Sequence, residues 1–327
     1  MNLCVIGAGA LGGSFAARLS KAGAEVTLVD AWAEHVAAIN KDGLEAAGVP
    51  RPLHVRLPAF LPADARGSFD AALIATDANS TGEAAQTARR LLRPDGIALT
   101  LQNGIGNIET LCAALGAERV IGGSTTCSFR REGPGRVEQT HLDVTSIGEL
   151  DGRITPRVEA LGALFKKAGY ETVVSEDIMT VVWGKFVTNV AVNALCAVTG
   201  LRLGEAARLE ATATFQERIL DEAFAVVRAR NIPVPEAKLR AGIKERTWRK
   251  FSEPSMLQHV NAGRRTEIDA LNGALVREAA ALGIATPFNE ALTMLLKGRE
   301  LAQQRRLHEG EPDWAALEKA AADEPRT

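Results

Sequence analysis

Cysteine is scarce in this chain: 327 residues hold only Cys4, Cys112, Cys127 and Cys196, and no two form a Cys-x-x-Cys pair. That number and spacing argue against a disulfide framework and a cysteine-ligated zinc site, and imply reduced thiols in the cytosol. Net charge is nearly absent too, with 38 lysines and arginines against 40 aspartates and glutamates, a formal balance of -2. So even a balance gives no electrostatic footprint for nucleic acid or an anionic membrane, and directs attention to a small-molecule partner. Apolar runs are broken by charge or glycine before the roughly 20 residues that a membrane span needs. The chain opens directly into an apolar strand with neither a basic segment nor a cleavage signal ahead of it, so no targeting segment is expected.

What is present is the composition of an ordinary globular protein, 46% hydrophobic and 24% charged. The length exceeds what one hydrophobic core usually organises, so two domains are expected. In the first half, short apolar runs at residues 2–6, 25–29, 53–57, 71–75, 97–101 and 119–122 alternate with helical patterns at 10–22, 35–40, 82–92 and 156–168. Strands alternating with helices imply an α/β domain with a Rossmann-type doubly wound parallel sheet. Between Gly123 and Gly148, the turn residues Gly133, Pro134 and Gly135 separate two strand-like runs, which reads as a hairpin added to the sheet edge. Beyond about Glu176 the strand patterns fade. The reading is a dinucleotide-binding domain over 1–175 and an all-α substrate-binding and catalytic domain over 176–327, with one more short helix around 313–322.

The sharpest motif is Gly7-Ala8-Gly9-Ala10-Leu11-Gly12, placed directly after the first strand and opening a helix. Gly7 permits a tight turn, Gly9 lets backbone approach a pyrophosphate, and Gly12 lets the helix pack close to the sheet. The helix N-terminus offers unpaired N–H groups to the anion. The second strand ends at Asp30, where an acid accepts hydrogen bonds from adenosine ribose hydroxyls and repels a 2′-phosphate, favouring NADH over NADPH. Neither Ala31 nor Trp32 supplies a cation for that phosphate, and the nearest basic candidate is His35.

A second constellation lies near the middle of the chain. Lys185, Asn189 and Asn193 recur at i, i+4, i+8 in an otherwise apolar run and span only about 80° of helix circumference. A polar stripe on a buried helix must find partners, through an interhelical network or a ligand. Hydride reduction of a ketone leaves negative charge on the carbonyl oxygen, which an ammonium can stabilise and then protonate, while asparagines orient a carboxylate or hydroxyl. Glu267, spaced as if at the edge of an apolar helical face with Leu271, is a carboxylate that a lysine could partner.

These motifs, with Leu101-Gln102-Asn103-Gly104, Pro254-Ser255-Met256-Leu257-Gln258, Gly263 through Asp269, and Asn272-Gly273, together resemble the ketopantoate reductase (2-dehydropantoate 2-reductase) family from residue 1 to about 297. The resemblance implies that Lys185 is the general acid toward the C2 oxygen and that Glu267 assists it. Asn189, Asn193 and Ser255 would hold the substrate, and Asn103 would lie near the nicotinamide. Ser255-x-x-Gln258 also fits a helix capping box, and Asn103-Gly104 a turn. The implied reaction reduces a 2-oxo acid, 2-dehydropantoate, to pantoate with NADH or NADPH in a cleft between the domains, and the helical half could support a homodimer. Three positions depart from the family pattern: Asp77 where many members have a lysine, Ala194 where proline is frequent, and no asparagine at 201–204. Asp77 motivates an alternative, a paralogous reductase of a different 2-oxo acid or an imine. A dinucleotide-binding redox sensor without turnover shares the first half but has no need of Lys185 beside Glu267.

Overall fold

In the computed structural model, whose described residues are 1–322, the alternating pattern of the first half becomes β1 (Asn2–Ile6), α1 (Ala10–Lys21), β2 (Glu25–Val29), α2 (Ala33–Asp42), β3 (Leu44–Gly48), β4 (Leu53–Val55), β5 (Ala59–Phe60), β6 (Phe69–Ile74), α3 (Thr81–Leu91), β7 (Leu92–Thr100), α4 (Asn107–Leu115) and β8 (Val120–Thr125). The chain continues through β9 (Ser128–Gly133), β10 (Arg136–His141), β11 (Thr145–Glu149), α5 (Pro156–Lys167) and β12 (Thr172–Val174). Eight strands form one sheet in the order β12-β11-β8-β7-β6-β1-β2-β5. From β5 to β8 its strands are parallel. Counted along the chain, they follow the 3-2-1-4-5-6 order of a doubly wound dinucleotide fold. The order reverses between β1 and β6, and ligands of such sheets bind at that switch point, beyond the carboxyl ends of the strands.

Both faces of this sheet are covered, so its strands read as continuous apolar runs rather than alternating ones. Leu3, Val5, Ala71, Leu73 and Leu99 join one core cluster with Phe15 and Leu19 of α1 and Phe165 of α5. The residues between them, Cys4, Ile6, Ala72, Ile74 and Ala98, face the other way into a cluster with α3 and α4. A one-residue slip in register would exchange the two sets.

The Gly133–Gly135 turn does form the hairpin β9–β10, but that hairpin does not extend the main sheet as the sequence suggested. β10 pairs in parallel with β3, which pairs antiparallel with β4, giving a separate four-stranded sheet, β4-β3-β10-β9. The strand added to the main sheet beside β8 is β11, antiparallel to it. The small sheet lies against α1. Val137 stands over Gly13, where a Cβ would meet its methyl carbons at 3.1 and 3.4 Å. Phe15 stacks on Tyr170 with centroids 4.0 Å apart, and Phe129 of β9 closes the cluster at 5.9 Å from Phe15.

By its internal contacts the chain forms two compact units, Met1–Val187 with Val227–Pro235, and Thr188–Val226 with the residues from Glu236 onward. The helix α6 (Ile178–Thr199) runs through the first boundary unbroken. It is long and apolar enough to cross a membrane, with a mean hydropathy of 1.5, but 67% of that stretch is buried within the protein. α6 is therefore a core helix.

The second unit is helical: α7 (Leu203–Arg208), α8 (Glu210–Ala229), α9 (Glu236–Arg249), α10 (Ser255–Asn261), α11 (Asn272–Ala281), α12 (Pro287–Glu309) and α13 (Trp314–Ala322). Its buried apolar side chains include Ala191, Ala194 and Leu195 of α6, Ile219, Leu220 and Phe224 of α8, and Leu275 of α11. A polar chain ties these helices together. Asn272 donates to the Val190 carbonyl at 3.1 Å and to Asn289 Oδ1 at 2.9 Å, and Asn289 donates to Glu222 at 2.6 Å. Glu222 also accepts the backbone N–H groups of Phe288 and Asn289, both at 2.9 Å. A carboxylate there meets the positive end of the α12 dipole.

Candidate active site

The glycine turn has the geometry its spacing predicts. Gly7 sits at φ +93, and a Cβ on it would lie 2.6 Å from Ala75 C and Thr76 N of the adjacent strand end. At Gly12 a Cβ would stand 1.8 Å from the Gly7 carbonyl oxygen, so α1 can approach the turn only without a side chain there. Gly9 differs. Nothing lies within 4 Å of where its Cβ would be, so the missing side chain leaves open space beside the backbone. Gly9 is the N-cap of α1, whose first turn carries no acidic residue. The amides of that first turn have no intrahelical partner. An open glycine cradle before unpaired, positively polarised N–H groups fits a dinucleotide pyrophosphate.

The turn and the end of β2 meet at Asp30. Ala8 N–H donates to Asp30 Oδ2 at 2.7 Å and Trp32 N–H to Oδ1 at 2.8 Å. Each carboxylate oxygen has two lone-pair directions, so one per oxygen remains for a further donor such as a ribose hydroxyl. His35 proves to have another role than a candidate cation. It is fully buried. Its Nδ1 lies 2.9 Å from Gly135 N, a group that can only donate, and its Nε2 lies 2.9 Å from Ala8 O, which can only accept. The ring therefore accepts from the β9–β10 hairpin and donates to the glycine turn, with both nitrogens engaged. The Trp32 indole lies parallel to it at 5.2 Å.

A second polar assembly holds the ends of β6 and β7. The Gln102 side-chain amide donates to Thr76 O and Thr76 Oγ1, both at 3.0 Å, and to Thr81 Oγ1 at 2.9 Å, while its oxygen accepts from Thr100 Oγ1. Thr81 donates to Asn107 Oδ1 at 2.7 Å, and Asn107 donates to the Asn103 carbonyl at 2.9 Å. Asn103 is thus fixed in a bend after β7, beside a pocket lined by Thr100, Gln102, Gly104, Asn107, Met179 and Val182. The neighbouring Gly104, at φ +85, serves the turn. Asp77 is exposed just past β6. The network roles of Gln102, Thr81 and Asn107 are not visible in the sequence, because the bonds that join them to one another and to Thr76 span more than twenty positions.

On α6, Lys185 and Asn189 are half-buried and Asn193 is 4% exposed, among buried Phe186, Val187, Val190 and Ala191. The polar stripe is real. In the second unit, Glu267 is 7% exposed, so it is not a surface carboxylate. Nor does it lie on a helix. It precedes a single 3-10 turn, Ile268–Ala270, where its carbonyl accepts Ala270 N–H and Leu271 N–H. Leu271, at φ -110 and ψ -105, interrupts what the spacing suggested was one helical face. Ser255 is exposed as the first residue of α10, behind Pro254. Its capping box does not form: the N-cap has no side-chain bond, and Gln258 Nε2 bonds instead to the Glu253 carbonyl at 2.8 Å.

Two family models match this chain: ketopantoate reductase PanE/ApbA over residues 3–152, and the ketopantoate reductase PanE/ApbA C-terminal model over 177–300. The chain belongs to the ketopantoate reductase family. The 2-dehydropantoate 2-reductase of Pyrococcus abyssi is 31% identical over 308 residues, covering 94% of this chain and all of that one. The enzyme of that name from Halobacterium salinarum is 31% identical, covering 91% and 98%. Among solved structures, a PanE/ApbA family ketopantoate reductase from Ralstonia eutropha superposes with a TM-score of 0.86 at 31% identity, covering 93% of this chain and 100% of that one. A D-mandelate dehydrogenase with NADH and anilino(oxo)acetate superposes with a TM-score of 0.88 at 27% identity, covering 93% and 99%. Ketopantoate reductases and this chain thus share the Rossmann-type sheet followed by a helical region, the architecture read from the sequence.

Proposed function

We infer that the protein is a nicotinamide-dependent oxidoreductase that reduces a 2-oxo acid, with 2-dehydropantoate as substrate and pantoate as product. The reading rests on the family match across both halves of the chain, together with a buried helix that presents a lysine and two asparagines on one face. The four unpaired thiols fit a reducing, cytosolic compartment.

A bound nicotinamide supplies hydride to C2. As that carbon is reduced, the carbonyl oxygen gains negative charge, and we assign the Lys185 ammonium to stabilise it and then donate the proton that completes the hydroxyl. Half-burial of Lys185 strengthens its field relative to bulk water. We assign Asn189 and Asn193 to orient the substrate without adding charge, Glu267 to assist the lysine, Ser255 to bind substrate at the start of α10, and Asn103 to the nicotinamide end of the cofactor. Gly7 through Gly12 would hold the pyrophosphate. We further propose that NADH is preferred: the Asp30 carboxylate, hydrogen-bonded to the glycine turn itself, keeps acceptor positions for ribose hydroxyls and opposes a 2′-phosphate.

A second reading has its own support. Asp77, exposed past the carboxyl end of β6, carries the charge opposite to the family's usual lysine, which weakens attraction for an anionic keto acid on that side. Reduction of a different 2-oxo acid, or of an imine, would follow. A matrix of NADH and NADPH against 2-dehydropantoate, other 2-oxo acids and imines separates the two, and 2-dehydropantoate turning over slower than several alternatives would remove it as the substrate. Lys185→Ala should keep cofactor affinity and lose about 100-fold or more in kcat, the usual scale for general acid catalysis. Near-normal kcat in that variant would refute Lys185 as the proton donor.

A further inference from the structure

Arg131 comes to Trp32 from a strand a hundred residues away, and nothing in the family match assigns it a role. Its guanidinium carbon lies 4.9 Å from the centroid of the Trp32 ring. Trp32 in turn donates its backbone N–H to Asp30 Oδ1, so the cation stands over the residue that is bonded to the ribose-facing carboxylate. Strand geometry explains how it gets there. Side chains alternate along β9, so Arg131 shares a face with Phe129, whose ring packs 5.9 Å from Phe15 of α1. Arg131 is also the register partner of Val137, the residue that stands over Gly13. The same face that covers α1 therefore carries a positive charge past the edge of the small sheet toward the end of β2.

That charge is available. Arg130, on the opposite face, is committed to Glu132 at 2.5 Å and Glu138 at 2.6 Å. Arg131 is exposed and forms no ion pair among the described residues. Stacking on an indole leaves the in-plane N–H donors of a guanidinium free to bond a phosphate.

We propose that Arg131 is the 2′-phosphate contact of this protein, so that it accepts NADPH as well as NADH. Asp30 penalises a 2′-phosphate and Arg131 compensates, and the balance of the two sets the cofactor ratio. The assignment rests on the dinucleotide reading given above, and it places the specificity cation on β9 rather than in the loop after β2, where Ala31 and Trp32 offer none.

The test is equilibrium binding by the intact protein: fluorescence titration with NADH and NADPH, and competition by 2′,5′-ADP against 5′-ADP, for the wild type, Arg131→Ala and Arg131→Lys. Charge-assisted bonds of this kind predict that Arg131→Ala weakens NADPH and 2′,5′-ADP about tenfold to a hundredfold. NADH and 5′-ADP should change by less than about twofold, and Arg131→Lys should recover part of the loss as a point charge. Equal weakening of all four ligands would make Arg131 an adenine-stacking residue and overturn the assignment, as would no weakening of NADPH. A wild-type protein that binds neither NADH nor NADPH overturns the dinucleotide reading itself, and this assignment with it.

Discussion

Replacing His35 by alanine separates a brace from a bystander. The imidazole lies between two backbone groups that have no other role in the ladders, accepting from Gly135 N–H and donating to the Ala8 carbonyl, each at 2.9 Å. Its removal leaves one buried donor and one buried acceptor, and each unsatisfied group costs about 1–3 kcal/mol. Loss of the parallel stack on Trp32, at 5.2 Å, adds about 0.5–1.5 kcal/mol. The sum is about 2.5–7.5 kcal/mol, toward the lower end if water enters the vacated space. Urea unfolding of His35→Ala against the wild type measures the stability change, and NADH titration measures whether the turn keeps its shape. Weakened NADH binding is expected as well, because Ala8, through the N–H of its preceding peptide, also donates to Asp30. His35→Gln, whose amide can approach the Nε2 position, should restore binding more than stability. A change in unfolding free energy below about 0.5 kcal/mol, the range of an ordinary surface substitution, would refute the bracing role.

Two further outcomes follow from the same unit. Gly12→Ala drives a methyl to 1.8 Å from the Gly7 carbonyl, a backbone contact with no flexible partner to yield. α1 must withdraw from the turn, with a loss of about 1–3 kcal/mol or more in stability, and calorimetry should show dinucleotide affinity falling with it; wild-type affinity would contradict the close-packing account. Glu149→Gln probes the last residue of β11. Burial raises the Glu149 carboxyl, but hydrogen bonds from Arg157 and Thr155 outweigh it and hold it below its usual range. A lowered folded value means that stability from the charged form is complete above the unfolded carboxylate range and is lost as pH falls from there through the lower, folded value. The deficit of Glu149→Gln, about 1–3 kcal/mol at pH 7 for bonds to a charged group, should therefore shrink below about pH 5. A deficit unchanged between pH 7 and pH 3 would refute it.

Much of the fold was legible because its cues are local. The glycine turn, the strand ending in Asp30 and the stripe on α6 each follow from spacing within a single element. The small sheet was not, because β10 pairs with β3 some ninety residues away, and parallel pairing leaves no turn between partners to announce it. The helical placing of Glu267 failed for a different reason. Ile268 and Leu271 are both buried, so a 3-10 turn and a bend reproduce the apolar spacing of a helix. In sequence His35 was only the nearest basic residue after β2, and nothing near it shows that Gly135 will donate to its ring. Asp30 was legible as an acid at the end of β2, but its bonds to the Ala8 and Trp32 amides appear only once the turn is built.

The bond between His35 and the hairpin changes how the first unit can be trimmed. Residues 126–143 look like a dispensable ornament on a nucleotide-binding sheet, yet cutting them away would remove the group that fixes the His35 ring and with it the anchor of the Ala8 carbonyl. It would also bare the side of α1 that Val137 and Phe129 cover. A minimal dinucleotide-binding fragment of this protein must therefore keep its second sheet.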